Sequence, residues 1–152
     1  MLQDLLKSSP LFTTLTDREL ALVLAICTAR EFNGGECLCC EGEDSTHFSL
    51  VVAGAVRISK LTPLGEEALA VLRPGQFYGE MGLLTGEPRT AHVYGHEMGK
   101  VLEFPNAALK ALLDREPRLG THFLWAFSRA LCLRLAETNT RLATFMTLNK
   151  FG

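Results

Sequence analysis

Apolar positions fall into three textures along the chain. Residues 1–30 carry a helical pattern. Ser8-Ser9-Pro10 breaks a short first helix, and Thr16 with Glu19 three residues later forms a capping box that opens a second. Within it Leu20, Leu24 and Cys27 recur at helical spacing. From residue 31 to about 103 the texture changes: short runs of Val, Phe, Leu and Ile alternate with glycine turns at Asn33-Gly34-Gly35, Glu41-Gly42-Glu43, Ala53-Gly54, Pro63-Leu64-Gly65 and Arg73-Pro74-Gly75. Turns at this spacing predict an all-β sandwich, roll or barrel, with strands at 47–52, 55–60, 68–72 and 101–104.

Helices return after Pro105. Residues 106–115 form one, ended by Glu116-Pro117, and residues 118–146 form a long one. Leu124, Phe127, Leu131, Leu135, Thr138, Leu142 and Phe145 recur along it every three or four residues. A stripe this apolar needs a partner, which is the chain's own β-roll, a second copy of the helix, or both. There is no internal repeat and no low-complexity linker. The expected fold is therefore one mainly β domain over residues 1–152: helices at 1–30, a jelly-roll-like β-roll at 31–104, and C-terminal helices at 105–147.

Composition narrows the function classes. Of 152 residues 47% are hydrophobic and 21% charged, the profile of a folded globular chain. The formal net charge of -2 argues against a lone DNA-binding module, which carries a strong positive excess. The longest apolar run, residues 20–27, is far short of the ~20 residues of a membrane span. Asp4 and Lys7 interrupt the N-terminal leucines, so no signal peptide is expected, and the cytoplasm is the expected location.

The five cysteines are odd in number. Three of them, Cys37, Cys39 and Cys40, crowd one segment. Cys37 and Cys39 are one residue apart rather than the two to four of a zinc knuckle, and no second pair follows. They read as small buried hydrophobes on a strand. No metal or cofactor is expected.

Residues 77–93, FYGEMGLLTGEPRTAHV, carry the chemistry. Gly79-Glu80-Met81-Gly82 sets two glycines around a carboxylate, a helical turn follows at 82–84, and Gly86-Glu87-Pro88 leads into Arg89-Thr90-Ala91. Glycine lets backbone N–H groups approach a ligand, and a helical turn aims several of them at one point. Arg89 adds a planar fork that pairs with two oxygens of a phosphate diester, and Pro88 stiffens its approach. A carboxylate beside a phosphate site is a good acceptor for a ribose hydroxyl. One acid, one arginine and a glycine-lined turn together point to a ribose phosphate.

This stretch resembles the phosphate-binding cassette of the cyclic-nucleotide-binding domain family, which includes catabolite activator proteins, kinase regulatory subunits and gated channels. The resemblance extends over nearly the whole chain. Residues 5–20 look like the family's entry helices, Gly35-Glu36 to Glu43 like the strand-turn before the roll, and residues 50–57 like its V-x-G-x-V hairpin. Leu72-Arg73-Pro74-Gly75 leads into the cassette as in the family, and residues 104–117 resemble the connection to the last helix.

The resemblance implies a non-catalytic sensor of cAMP, with cGMP as the second nucleotide. Gly79 and Gly82 would lend backbone contacts, Glu80 would accept the ribose 2′-hydroxyl, and Arg89 would clamp the phosphate oxygens. Met81, Thr90 and Ala91 complete the cassette's share of the site. Some cGMP-preferring members have Thr where this chain has Thr90. The last helix would cap the purine, through Arg134 in one alignment or Thr138 and Asn139 in another one turn away; Thr138 and Asn139 are favoured. The expected partners are a second copy, through Phe127, Leu131 and their neighbours, and an effector protein, with no direct nucleic acid and no membrane.

Family members that regulate transcription continue into a helix-turn-helix, whereas few residues follow Met146. A free-standing sensor and the sensor part of a longer regulator are both compatible with that. An effector-free dimerisation module on the same fold would be expected to lack Glu80 or Arg89. A cupin-like metal enzyme would need a His-x-His pair, and His47, His92, His96 and His122 contain none.

Overall fold

The computed structural model describes residues 2–151. Two short helices, α1 (Leu2–Ser8) and α2 (Asp17–Leu24), lead into strands β1 (Thr28–Phe32), β2 (Cys37–Cys39), β3 (His47–Thr62), β4 (Gly65–Leu72) and β5 (Phe77–Tyr78). Helix α3 (Glu80–Thr85) interrupts the strands before β6 (His92–Pro105), and α4 (Asn106–Arg115) and α5 (Pro117–Phe151) close the chain. The architecture is the expected mainly antiparallel roll, with helices before it and a long helix after it.

Strand order is β1-β6-β3-β4, with β2 also on β6 and β5 also on β3. The long strands β3 and β6 are the spine, paired from His47↔Pro105 to Ser59↔His92. Residues 47–52 and 55–60, expected as two strands of a hairpin, are one continuous strand. Its register against β6 shifts around Ala53 and Ala55 instead of turning back. Gly54 sits at φ +68°, and a Cβ there would lie 2.3 Å from the Met98 carbonyl oxygen; a Cβ on Gly99 would lie 1.9 Å from that of Ala53. The two glycines let the strands touch where they bend, which is how a bulge curls a sheet into a roll.

Residues 28–30, expected as the end of the helical segment, belong to β1. Helix α2 stops at Leu24 and the chain extends from Thr28 to pair with β6. The capping box at its start is half made. Thr16 accepts the Glu19 N–H, but the Glu19 carboxylate bonds Arg118 on α5.

The helices pack on one end of the roll around Phe12, Phe48, Phe104, Phe123 and Phe127, all at most 1% exposed. Phe127 meets Phe48 with ring centroids 5.4 Å apart and Phe77 at 5.7 Å. These edge contacts fix the first half of α5 against the roll. A second cluster, including Val51, Val56, Tyr78, Val93 and Val101, fills the roll itself. No helix among the described residues is long and apolar enough to cross a membrane.

Candidate functional site

Strand β5 fixes where the glycine-rich segment starts: Tyr78 pairs with Ser49 and Phe77 with Leu50 on β3. Gly79, at φ +90°, then turns the chain into α3, and Gly86 at φ +74° ends the helix with its N–H on the Gly82 carbonyl at 2.9 Å. A side chain at either glycine near Glu80 would collide with a neighbour. A Cβ on Gly79 would lie 2.6 Å from Arg89 Nη1, and one on Gly82 1.9 Å from Ser45 Oγ.

Arg89 is 8% exposed and is held largely by main chain. Its Nη2 donates to the His47 carbonyl at 2.7 Å. Its own N–H donates to the Glu43 carbonyl at 2.8 Å, and its carbonyl accepts the Gly42 N–H at 2.9 Å. Among the described residues no carboxylate pairs with this guanidinium. A buried cation without an anion partner carries a large desolvation cost, so the position is built to receive negative charge.

Glu80 is 2% exposed and does not pair with Arg89. Its Oε1 accepts from Nη1 of Arg134 on α5. The same guanidinium donates to the Phe77 carbonyl and lies over the Phe77 ring, 5.2 Å from its centroid. Burial pushes the Glu80 carboxyl above the usual carboxylate range, and Arg134 opposes that shift. One turn and two turns further along α5, Thr138 and Arg141 face the same space, and Arg141 donates to the Leu69 carbonyl on β4.

These groups enclose a cavity of about 950 Å³ between the cassette, β4 and α5. That is within the range of sites that bury a nucleotide-sized ligand, roughly 300–1,000 Å³. Gly79, Glu80, Met81, Gly82, Arg89, Thr90, Ala91 and Thr138 all line it; Asn139 is not among the lining residues. Of the two alignments of the last helix, Arg134 falls on the carboxylate and Thr138 one turn beyond it. Leu69 to Leu72 supply an apolar wall opposite.

Sequence pattern does not single out Ser45 or Arg141 among the lining residues. Ser45 has a buried hydroxyl oxygen with no partner among the described residues, and its loop carries no periodicity to flag it. Arg141 looks like an ordinary solvent-facing helix residue until the packing against β4 is seen.

A roll with an acid, a buried arginine and a glycine turn around one cavity defines a ligand-binding regulatory domain. Residues 29–116 match the family described as the cyclic nucleotide-binding domain, and the chain belongs to that family. It is 32% identical over 129 residues to a cAMP-dependent protein kinase regulatory subunit of Mycosarcoma maydis, covering 85% of this chain and 22% of that one. It is 34% identical over 139 residues to the cyclic AMP receptor protein of Thermus thermophilus, covering 90% and 62%. The chain thus spans less than two thirds of the length of either relative. The N-terminal domain of a transcriptional regulator from Streptomyces coelicolor A3(2) superposes with a TM-score of 0.73 at 31% identity, over 91% of this chain and 95% of that one.

Proposed function

We propose that this chain is a non-catalytic sensor of cAMP, with cGMP as the second nucleotide, acting as one unit from its entry helices to α5. The observation that carries the reading is the buried Arg89, paired with no carboxylate among the described residues, across one cavity from the buried carboxylate of Glu80. Arg89 takes the exocyclic phosphate oxygens, with the amides of the Gly79–Gly82 turn beside it. Those first-turn amides have no carbonyl acceptor within the helix. Glu80 accepts the ribose 2′-hydroxyl, Thr90 and Ser45 offer hydroxyls, and Thr138 faces the purine. The names of the kinase regulatory subunit and the cyclic AMP receptor protein favour cAMP. Thr90 keeps cGMP within reach.

The output runs through α5. A nucleotide whose ribose engages Glu80 changes what Arg134 can bind, and the helix carrying Arg134 responds to the extent that the ligand prefers one of its positions. The dimer surface differs from the expected one in a specific way: Phe127 is 1% exposed inside the core, whereas Trp125 is 68% exposed. Trp125, Cys132, Asn139 and Met146 repeat every seven residues, with Ser128, Leu135 and Leu142 at the intervening positions, Leu142 also lining the cavity. That is a coiled-coil seam in which the polar Asn139 fixes the register, and it gives Asn139 a role outside the cavity. An effector protein reads the resulting state.

The test is calorimetric titration of cAMP, cGMP and a cyclic dinucleotide into protein unfolded and refolded to strip carried-over ligand. A mononucleotide is expected to bind one per chain, and Arg89→Ala to weaken it by about 2–3 kcal/mol. Equal affinity in wild type and Arg89→Ala would refute the site; no binding by wild type would leave a dimerisation module on the same fold.

A further inference from the structure

The cysteine cluster does not behave as three buried hydrophobes. Cys39 is buried in the roll, but Cys37 is exposed and Cys40 half-buried. Cys37 and Cys40 are separated by two residues, the spacing that a comparison of Cys37 with Cys39 passes over. Strand β2 ends at Cys39, and its register against β6 shifts between Cys37 and Cys39. Cys40 then opens a turn in which the Glu43 N–H donates to the Cys40 carbonyl at 3.2 Å. The turn brings the Cys40 thiol back to Cys37, Sγ to Sγ 3.2 Å.

The third group comes from the neighbouring strand. Ligand atoms of Cys37, Cys40 and His92 all lie within 4.8 Å of one another. The His92 ring is oriented by Tyr94, stacked at 5.7 Å, and its Nδ1 accepts the Glu41 N–H at a long 3.3 Å. We propose that Cys37, Cys40 and His92 form a binding site for a thiophilic divalent cation, Zn2+ above all, on the outer face of the roll.

Chemistry and geometry both favour a metal over a disulfide. Two thiolates and an imidazole are the donors zinc selects, with water at the fourth position. Zinc–sulfur bonds of about 2.3 Å at tetrahedral angles set the sulfurs roughly 3.8 Å apart. The pair must therefore open by about half an ångström to hold zinc, but close by more than 1 Å to reach the ~2.05 Å of a disulfide. On binding, both thiols lose their protons to solvent, and neutral His92 gives up the long Glu41 N–H bond so that its one ring lone pair goes to the metal; the site takes up M2+ and releases two H+. The cluster lies outside the nucleotide cavity, so the proposal stands or falls separately from the nucleotide reading.

The experiment is a Co2+ titration of the reduced, nucleotide-free full chain under argon, followed by Zn2+ competition. One Co2+ per chain is expected, with a thiolate-to-cobalt charge-transfer band and tetrahedral visible absorption that Zn2+ abolishes. Cys37→Ser and Cys40→Ser should each weaken binding at least tenfold and reduce the charge-transfer intensity. His92→Ala should change the visible spectrum, and Cys132→Ser should leave the cobalt spectrum unchanged. Circular dichroism and thermal melting identify any variant that fails to fold. For such a variant, alkylation of the wild type decides: Zn2+ should protect Cys37 and Cys40 but not Cys132. Absence of a charge-transfer band in wild type, retention of it in the Cys37→Ser/Cys40→Ser double variant, or equal protection of all three cysteines would overturn the proposal.

Discussion

The carboxylate of Glu80 in the cassette is bonded to the guanidinium of Arg134 on α5, 54 residues away in sequence. The pair is lopsided: the Glu80 side chain is 2% exposed and that of Arg134 39%. Removing the arginine leaves a buried charge behind, whereas removing the acid leaves a cation that can reach water. Arg134→Ala should therefore cost more stability than its exposure suggests, about 1–3 kcal/mol after allowing for solvent near the arginine. Hydrogen exchange should quicken along α5 beyond residue 130 and stay unchanged in α4. Uniform exchange in both helices would mean that the pair does not hold α5.

The same carboxylate sets a pH dependence. Its protonation is favoured in the folded chain, because burial raises its pKa above the ordinary 4.5 despite the opposing effects of Arg134, its own backbone N–H and Arg89. A raised acid contributes stability below its unfolded pKa and loses it as pH rises through the folded one. The stability of wild type minus that of Glu80→Gln should thus be constant below pH 4.5 and decline above it. Urea unfolding of both proteins across that window measures the difference, and a difference that grows with pH would contradict the assignment.

Gly82 offers a rescue experiment. Its missing Cβ would lie 1.9 Å from Ser45 Oγ and 2.3 Å from Ser45 Cβ, with the next neighbour at an ordinary 3.5 Å. Gly82→Ala should cost about 1–3 kcal/mol through overpacking. Adding Ser45→Gly should return much of it, apart from the flexibility a second glycine brings. Thermal melts of the single and double variants suffice. A double variant no better than Gly82→Ala would place the cost in the backbone instead.

Core and seam separate along α5. Phe127→Ala removes a ring packed on Phe48, Phe77 and Phe123, and should destabilise the fold by about 3–5 kcal/mol. Trp125→Ser, at a position 68% exposed, should leave the unfolding of the isolated chain within about 0.5 kcal/mol. It should lower the self-association seen by sedimentation. A wild type that stays monomeric at high concentration would remove the seam.

The sequence was readable where local rules agree with the fold. Pro105 and Glu116-Pro117 bracket α4 because proline cannot continue a helix, and Asn106–Arg115 is helical as expected. The turn at Gly79 announced itself because only glycine tolerates its geometry, and Glu80 and Arg89 do line one cavity. What pattern alone does not reveal depends on pairing across the chain. Ala53-Gly54 has the composition of a turn, yet β6 holds it as a bulge. Glu19 has the spacing of a capping partner, yet Arg118 is a stronger donor within reach. Phe127 lies on the apolar stripe of α5, but no periodicity tells which part of a stripe meets its own roll. Cys37 and Cys40 became neighbours only when the strand ended between them.

Arg89 owes its place to the carbonyls of His47 and Glu43 and the amide of Gly42. Every residue except proline supplies both of those groups, so, Ser45 at the cavity wall apart, the hydrogen bonds that place Arg89 do not depend on which side chains the loop at 42–47 displays. Substitutions there can accumulate without disturbing the clamp, provided the turn at Gly42 survives. A loop fixed in this manner can change the side chains it shows to solvent while the pocket behind it goes on working.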